Sequence, residues 1–476
     1  MTHPPEIFAV PIDRAVLLYA PLHGLAALMN RRAAGQLREA LAAGGGGAAT
    51  ATDTFTPAAP VAATEVAALV AALRAAGDDP PQGRTGPLGQ PYFLGLLPTR
   101  GCNMACRYCD FAAPKTTSPV MSPEVARVAI DGYLRILDAV GARAAEVQFF
   151  GGEPFHAPHV VHFAVTYARL AAGERGLPCR FEVTTNGLIG EAECRWIADN
   201  FDAVVLSLDG PPDIQDRHRP ALGGRGTSAA VMRSAAILSE GSCELVLRAC
   251  VSRDTAPRLP EIAQWFGTAF RPGTVCFEAL QPTPLSDAAG LAPPDPYEFA
   301  AGFDAARRIL AGLGIEAVLS TADTERRQVT FCPVGRDALI VSPEGDVDAC
   351  YLLEESWRGA GLDMRLGRVD VARGALALDP AAVARVRGLN LANKPRCRDC
   401  FCRHHCAGGC HVNHGCDGAP GSYDDLCLLT RVASAARLLR ELGQDDAADA
   451  WLADRAALER TAVQCDDRLL GGGGPA

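Results

Sequence analysis

An eight-residue run, Cys102-Asn103-Met104-Ala105-Cys106-Arg107-Tyr108-Cys109, concentrates the chemistry of this chain. Its three thiols, spaced C-x3-C-x2-C, follow directly on an apolar stretch from Tyr92 to Leu97. A cubane iron–sulfur cluster has four irons and normally takes four cysteine thiolates. Only three lie within reach of this loop, and the next cysteine, Cys179, is 70 residues on. One iron would be left open, and an open iron can bind a substrate or cofactor, which a fully ligated electron-transfer cluster cannot. A zinc knuckle or three loose thiols is the competing reading, although C-x3-C is an unusual zinc spacing and zinc asks for a fourth local ligand.

The elements that must hold this loop alternate. Strand-like runs at Tyr92–Leu97, Glu146–Phe150, Arg180–Thr184, Ala203–Leu208, Glu244–Val251 and Thr274–Leu280 are separated by helix-like segments such as Pro123–Val140 and Pro158–Ala172. Apolar strands spaced by helices predict βαβ units and a parallel sheet. Crossovers of one hand curl that sheet, and six repeats fall short of the eight of a closed barrel. The expected fold class is α/β: a partial (β/α)6 TIM-like barrel, then a cysteine-rich domain, with a small N-terminal α+β unit. In that unit Ile7–Ile12 and Ala15–Ala20 read as two strands, and Leu22, Leu25, Ala26, Met29, Ala33, Leu37 and Leu41 recur at helical spacing. The predicted boundaries are 1–43 for this unit, 44–90 for a linker with a helix at Val61–Ala76, 91–322 for the barrel, 323–430 for the cysteine-rich domain and 431–476 for C-terminal helices (Leu428–Leu442, Ala447–Ala457) and a tail.

Ligands of parallel α/β folds sit at the carboxyl ends of strands. Four further motifs fall there: Gly151-Gly152-Glu153-Pro154, Thr184-Thr185-Asn186-Gly187, Ser207-Leu208-Asp209-Gly210-Pro211 followed by Asp216 and Arg219, and Arg248 within the fifth strand. Each alone is an ordinary turn. Their order behind the cysteine triplet resembles the radical S-adenosylmethionine (radical SAM) enzymes, in the branch that modifies peptides and proteins. That resemblance covers residues 92 to 280. It implies that Cys102, Cys106 and Cys109 carry a [4Fe–4S] cluster whose open iron chelates S-adenosylmethionine, and that reduction of the cofactor yields a 5'-deoxyadenosyl radical. It also implies cofactor contacts from Tyr108, Gly151, Gly152, Glu153, Asn186, Ser207 and Arg248.

The chain has 18 cysteines, nine of them between Cys332 and Cys427. Without a secretory signal, metal ligation is expected before disulfides. Cys332 stands alone, Gly345 precedes Cys350, and Cys397, Cys400, Cys406 and Cys410 follow at C-x2-C-x5-C-x3-C, with Cys416 and Cys427 beyond. This pattern resembles the SPASM extension of radical SAM enzymes, which implies two auxiliary [4Fe–4S] clusters, three clusters in all. By that resemblance Cys397, Cys400, Cys406 and Cys427 ligate a far cluster, and Cys332, Cys350 and Cys410 a near one. Relatives complete the near cluster with a cysteine that 333–349 lacks; the fourth position is then open or taken by Cys402, Cys416 or His411. Two structural zinc sites are the alternative. His404, His405 and His414 read as solvated loop residues, and Cys179, Cys194, Cys243, Cys250, Cys276 and Cys465 as small core hydrophobes.

The net charge of −10 speaks against a nucleic-acid surface. No run of 18 apolar residues and no signal peptide is present, so no membrane partner and a cytoplasmic location are expected. The resemblance implies a maturase of a ribosomally made precursor peptide, forming a carbon–sulfur or carbon–carbon side-chain crosslink, with an electron donor such as flavodoxin or ferredoxin. The N-terminal unit faintly resembles modules that bind a leader peptide by strand addition. A formylglycine-forming enzyme of the anaerobic sulfatase-maturase kind, or a non-catalytic electron carrier, are the rivals. Asp209 and Glu278 are the carboxylates expected near the site for proton handling.

Overall fold

The barrel is built from strands that alternate rather than run apolar throughout. In the computed structural model, which describes residues 6–43, 65–75, 80–85, 91, 93–111, 118–414, 418–464 and 467–470, six parallel strands follow the expected order. They are β4 (Leu94–Leu96), β5 (Ala145–Phe149), β6 (Cys179–Thr185), β7 (Ala203–Ser207), β8 (Glu244–Val251) and β9 (Thr274–Ala279). Along them, Val147, Phe149, Phe181, Val183, Leu245, Leu247, Val275 and Phe277 bury outward against helices. The intervening positions, Glu146, Gln148, Glu182, Arg248, Cys250, Cys276 and Glu278, face the lumen, as a period-two pattern requires.

The sheet extends beyond six strands at both ends. A three-residue strand, β10 (Glu316–Val318), adds parallel to β9. On the other side β11 (Leu339–Val341) pairs parallel with β4, and β12 (Asp346–Asp348), β13 (Arg365–Asp370) and β14 (Ala375–Leu378) continue antiparallel, giving one 11-stranded sheet. The cysteine-rich region therefore grows out of the barrel's first strand. It shares one continuous apolar core with the barrel, into which Trp357 and Phe401 are fully buried.

Two long crossover helices, at Pro123–Ala139 and Pro158–Gly173, end within a residue of the expectation. The N-terminal unit corrects it. The apolar series from Leu22 to Leu41 is not one helix: Leu25–Asn30 forms β3, paired antiparallel with β2 (Ala15–Ala20), which pairs with β1 (Phe8–Ile12). The helix α1 starts only at Arg31, because the Asn30 side chain accepts from Ala33 N–H at 2.8 Å and caps it. A second helix, α2 (Val66–Ala75), buries Leu69 and Leu73 in the same small core as Leu18, Met29 and Leu37. The outer edge of β1 is covered by residues near the C-terminus: Ala9 N–H donates to Asp467 O at 2.6 Å and Leu469 N–H to Ile7 O at 2.9 Å.

The C-terminal expectation also shifts. A helix spans Asp425–Glu441, and the expected Ala447–Ala457 helix is two, Asp445–Ala453 and Arg455–Ala462, divided where Asp454 caps the second through Ala457 N–H. The expected linker at 44–60 and the tail at 471–476 lie outside the described residues. No helix among the described residues is long and apolar enough to cross a membrane.

The polar lumen gives a pH signature. Burial, with Glu146 beside it, pushes the Glu182 carboxyl from 4.5 up to about 7. A raised carboxyl contributes stability that is complete below its unfolded value and lost as pH rises through the folded one. Denaturant unfolding at pH 5 and pH 8 will show the parent losing about 1–2 kcal/mol relative to Glu182→Gln as pH rises, after allowing for partial solvation of the site.

Candidate functional site

The cysteine loop leaves β4 and is clamped by backbone on two sides. On one side Gly152 N–H donates to Thr99 O at 3.2 Å and Glu153 N–H to Gly101 O at 2.9 Å. A methyl on Gly151 or Gly152 would overlap the carbonyls of Thr99, Arg100 and Gly101, so the approach admits only glycine. On the other side Ala105 N–H donates to Pro220 O at 2.8 Å and Arg107 N–H to His218 O at 2.9 Å. Cys102 and Cys106 are buried and Cys109 is half-buried. Burial pushes the Cys102 thiol up to about 11 and Cys106 up to about 12. Asn186 Nδ2 lies 3.5 Å from Cys102 Sγ and 2.8 Å from Asn103 Oδ1, tying the third strand's turn to the first thiol.

Glu153, expected to contact the cofactor, is also tied into the protein. Its side chain is fully buried: Oε1 accepts from Phe155 N–H at 3.1 Å and Thr185 Oγ1 at 2.8 Å, and Oε2 from Asn186 N–H at 2.7 Å. It fastens one strand-end turn to the next, while Gly151 and Gly152 line the cavity.

Asp209, a candidate for proton handling, is held by donors from three parts of the chain. It is buried, and it accepts from Tyr108 Oη at 2.6 Å, Arg219 Nε at 2.9 Å and Cys250 N–H at 3.0 Å, with His218 Nδ1 at 3.0 Å. Burial opposes its charge, but the Arg219 guanidinium and His218 hold its carboxyl well below the usual range. It is an anchor for Tyr108, which lies between two of the thiols in sequence, and has no opening through which to act as a base. Arg219 also stacks on the Tyr108 ring, 5.2 Å from its centroid.

These elements enclose a cavity of about 370 Å³. Cys102, Cys106, Tyr108, Cys109, Gly151, Gly152, Asn186, Ser207, Arg248 and Glu278 all line it. Arg248 reaches into this space with no hydrogen-bond or ion-pair partner among the described residues, which suits it to an anionic group. Glu278 accepts from Ser320 and from Cys276 Sγ. Cys250, expected to be a core thiol, instead faces the cavity; its register two positions from Arg248 was the available signal.

The cysteine-rich region reaches the same cavity through Tyr351, Leu352 and Asn413, none of which the motifs single out. Tyr351 fits over Gly95 of β4, where a methyl would collide with its hydroxyl, and packs on Phe150 at 4.7 Å between ring centroids. Asn413 hydrogen-bonds Asp110 beside the cysteine loop. Just behind, Cys332, Cys350 and Cys410 lie close enough to repel one another as thiolates, and burial pushes Cys332 up to about 11 and Cys350 up to about 12.

A second pocket collects Cys397, Cys400, Cys406 and Cys427, and with them Cys402. Cys402 therefore belongs with the far set and not the near one. It hydrogen-bonds Cys400, and this bond together with the Arg431 guanidinium favours the Cys400 thiolate. Arg431 Nη1 lies 3.3 Å from Cys400 Sγ and 2.5 Å from Asp467 Oδ2. Cys416 and Cys465 lie outside the described residues. None of the 16 described cysteines is in a disulfide.

The histidines are not solvated. His405 is fully buried against Ser434 Oγ at 2.9 Å, and burial drives it down to about 3. His404 is buried on Glu6. His414 bridges Asp424 at 2.8 Å and Cys427 Sγ at 3.5 Å. His411 is buried near Thr330, 3.4 Å away.

The donor chemistry of the thiol sets, buried to half-buried and free of disulfides, with His414 beside Cys427 in the far one, fits iron–sulfur ligation. A family profile described as the Radical SAM superfamily matches residues 96–264. Residues 96–264 form a radical SAM domain. The chain is 28% identical over 405 residues to a serine-type anaerobic sulfatase-maturating enzyme of Klebsiella aerogenes, spanning 79% of this chain and 92% of that one. In fold it is similar to anSMEcpe with bound AdoMet, at TM-score 0.55 and 18% identity over 74% of this chain and 99% of that one. It is also similar to Streptococcus suis SuiB bound to S-adenosylmethionine, at TM-score 0.51 and 13% identity over 88% and 98%. The chain is an enzyme, and its matched domain continues through one sheet into the cysteine-rich region.

Replacing Asp209 by asparagine leaves the buried Arg219 uncompensated. Thermal unfolding of Asp209→Asn will report a loss of about 3 kcal/mol, with weaker retention of iron at the cysteine loop measured by colorimetric assay after gel filtration.

Proposed function

We propose that this radical SAM enzyme modifies a ribosomally made precursor peptide and that the product is a side-chain crosslink, carbon–sulfur before carbon–carbon. One observation carries this reading: among the described residues, the near set beside the cavity holds three thiols, one short of the four a cubane takes. Its fourth position is suited to a cysteine thiolate of the substrate. Cys102, Cys106 and Cys109 would hold the cofactor-binding cluster, Cys332, Cys350 and Cys410 the near cluster, and Cys397, Cys400, Cys406 and Cys427 the far one. When bound, the first cluster and S-adenosylmethionine supply a carbon radical able to take a hydrogen atom from an unactivated C–H bond.

The chain's own residues bind and orient. Gly151 and Gly152 present bare backbone to the cofactor's amino group, and Asn186 and Ser207 line the same wall. Arg248 offers an unpaired guanidinium to a carboxylate. Asp209 holds Tyr108 beside the cofactor site. Tyr351, Phe150 and Phe111 close the cavity with apolar rings that exclude water from a reactive intermediate. β3 ends the order of the N-terminal sheet on the side away from β1, which residues 467–469 cover, and its edge would take a leader peptide as a fourth strand. A flavodoxin or ferredoxin would supply the electron.

The similarity to a sulfatase-maturating enzyme supports a second reading, oxidation of a serine or cysteine to formylglycine. Serine reaches formylglycine by loss of two hydrogens, as a crosslink forms. Cysteine must also exchange its sulfur, leaving as hydrogen sulfide, for the oxygen of a water, so on a cysteine the two products differ in mass as well as in reactivity. Reduced, reconstituted protein will release 5'-deoxyadenosine from S-adenosylmethionine, and Cys106→Ala will not; equal release from the variant would end the radical reading. With a cysteine-containing peptide as substrate, a product lighter by two hydrogens, inert to aldehyde reagents and resistant to thiol alkylation, supports the crosslink. A hydrazide-reactive product supports formylglycine instead.

A further inference from the structure

Lys394 is one of two lysines in a chain whose 45 basic side chains are otherwise arginine. It is 4% exposed, and its ammonium donates to the carbonyls of Ala407, Gly408 and Gly409 at 3.1, 3.2 and 3.2 Å. Three bonds are the full donor complement of an ammonium. The turn is shaped for that head group. Ala407, Gly408 and Gly409 hold φ of +47°, +79° and +66°, and a methyl on Gly408 would overlap the lysine's Cδ.

No carboxylate pairs with this buried cation among the described residues. A buried charge needs a counter-charge. The turn it holds, Ala407 to Gly409, joins Cys406 of the far set to Cys410 of the near set, and its field also reaches Cys332, Cys397, Cys406 and His411. Arg431 differs, since it reaches the far set alone and is neutralised by Asp467.

We propose that Lys394 is the shared counter-cation of two iron–sulfur centres, one on each thiol set, and that it raises the reduction potential of both. The proposal rests on the reading that both sets hold clusters. A thiolate-ligated cluster is anionic and gains one more negative charge when it takes an electron. A cation held between two such centres in a low-dielectric interior favours the reduced form of each. Lys394 is thus a positioning charge for electron transfer and touches neither substrate nor cofactor.

The test uses the full chain, reconstituted with iron and sulfide, carrying Cys102→Ala, Cys106→Ala and Cys109→Ala so that only the auxiliary centres give signals. Redox titration followed by electron paramagnetic resonance compares Lys394 with Lys394→Met, Lys394→Gln and Lys394→Arg. At a fixed ambient potential, the reduced fraction of both centres is expected to fall about tenfold in the neutral variants, equal to about 59 mV for a one-electron couple, and to stay near the parent in Lys394→Arg. Iron lost from both neutral variants but kept by Lys394→Arg supports the proposal too, because charge is then what the centres require. Potentials unmoved, or moved at one centre only, with iron intact, would overturn it. Equal iron loss in all three variants would overturn it in favour of a packing role. Absence of auxiliary iron in the chain with Lys394 unchanged would sink the cluster reading itself, a failure distinct from these.

Discussion

Asp209 is a charge cut off from water, and the barrel mouth is arranged around keeping it ionised. Arg219 and His218 arrive from the segment that follows β7, the Cys250 amide from β8, and Tyr108 from the cysteine loop. A carboxylate buried without those donors would be costly; with them it becomes a rivet through three separate parts of the chain. The loop's thiols owe their placement to this rivet on one side and to the glycine turn at 151–152 on the other. Both are interactions of backbone and buried charge, so neither leaves room for the loop to move as a ligand arrives.

The same economy joins the barrel to the cysteine-rich region. Because β11 pairs with β4, the hairpin that carries Cys350 grows from the strand that also launches Cys102. Tyr351 crosses the gap and seats on Gly95. Three thiols of one region and three of the other thus approach one cavity through a single shared strand, and the distance between them is set by sheet geometry rather than by a flexible tether.

What could be read in the sequence was whatever depended on local spacing. The cysteine triplet, the glycine turn and the C-x2-C-x5-C-x3-C series are loop motifs whose meaning survives without a structure. The strand order followed from period and length. The failures have particular causes. Leu25–Asn30 carries apolar residues that satisfy both periods, and only the Asn30 cap decides where the helix starts. A strand of three residues, like β10, gives no periodic signal. The donors that hold Glu153 and Asp209 come from distant segments and cannot be seen in one dimension. His405 and His414 stand in a polar stretch, yet the first is buried edge-on against Tyr19 and the second against Cys427 of the far thiols. Lys394 carried a hint in composition alone, as a lysine in an arginine-rich chain.

The bond between the two ends of the molecule has a temporal meaning. Asp467 completes the far thiol pocket through Arg431, and the residues beside it finish the N-terminal sheet. A nascent chain emerging from the ribosome cannot close either until residue 469 is free. One short segment thereby completes both the far thiol pocket and the N-terminal sheet, and folding couples the two.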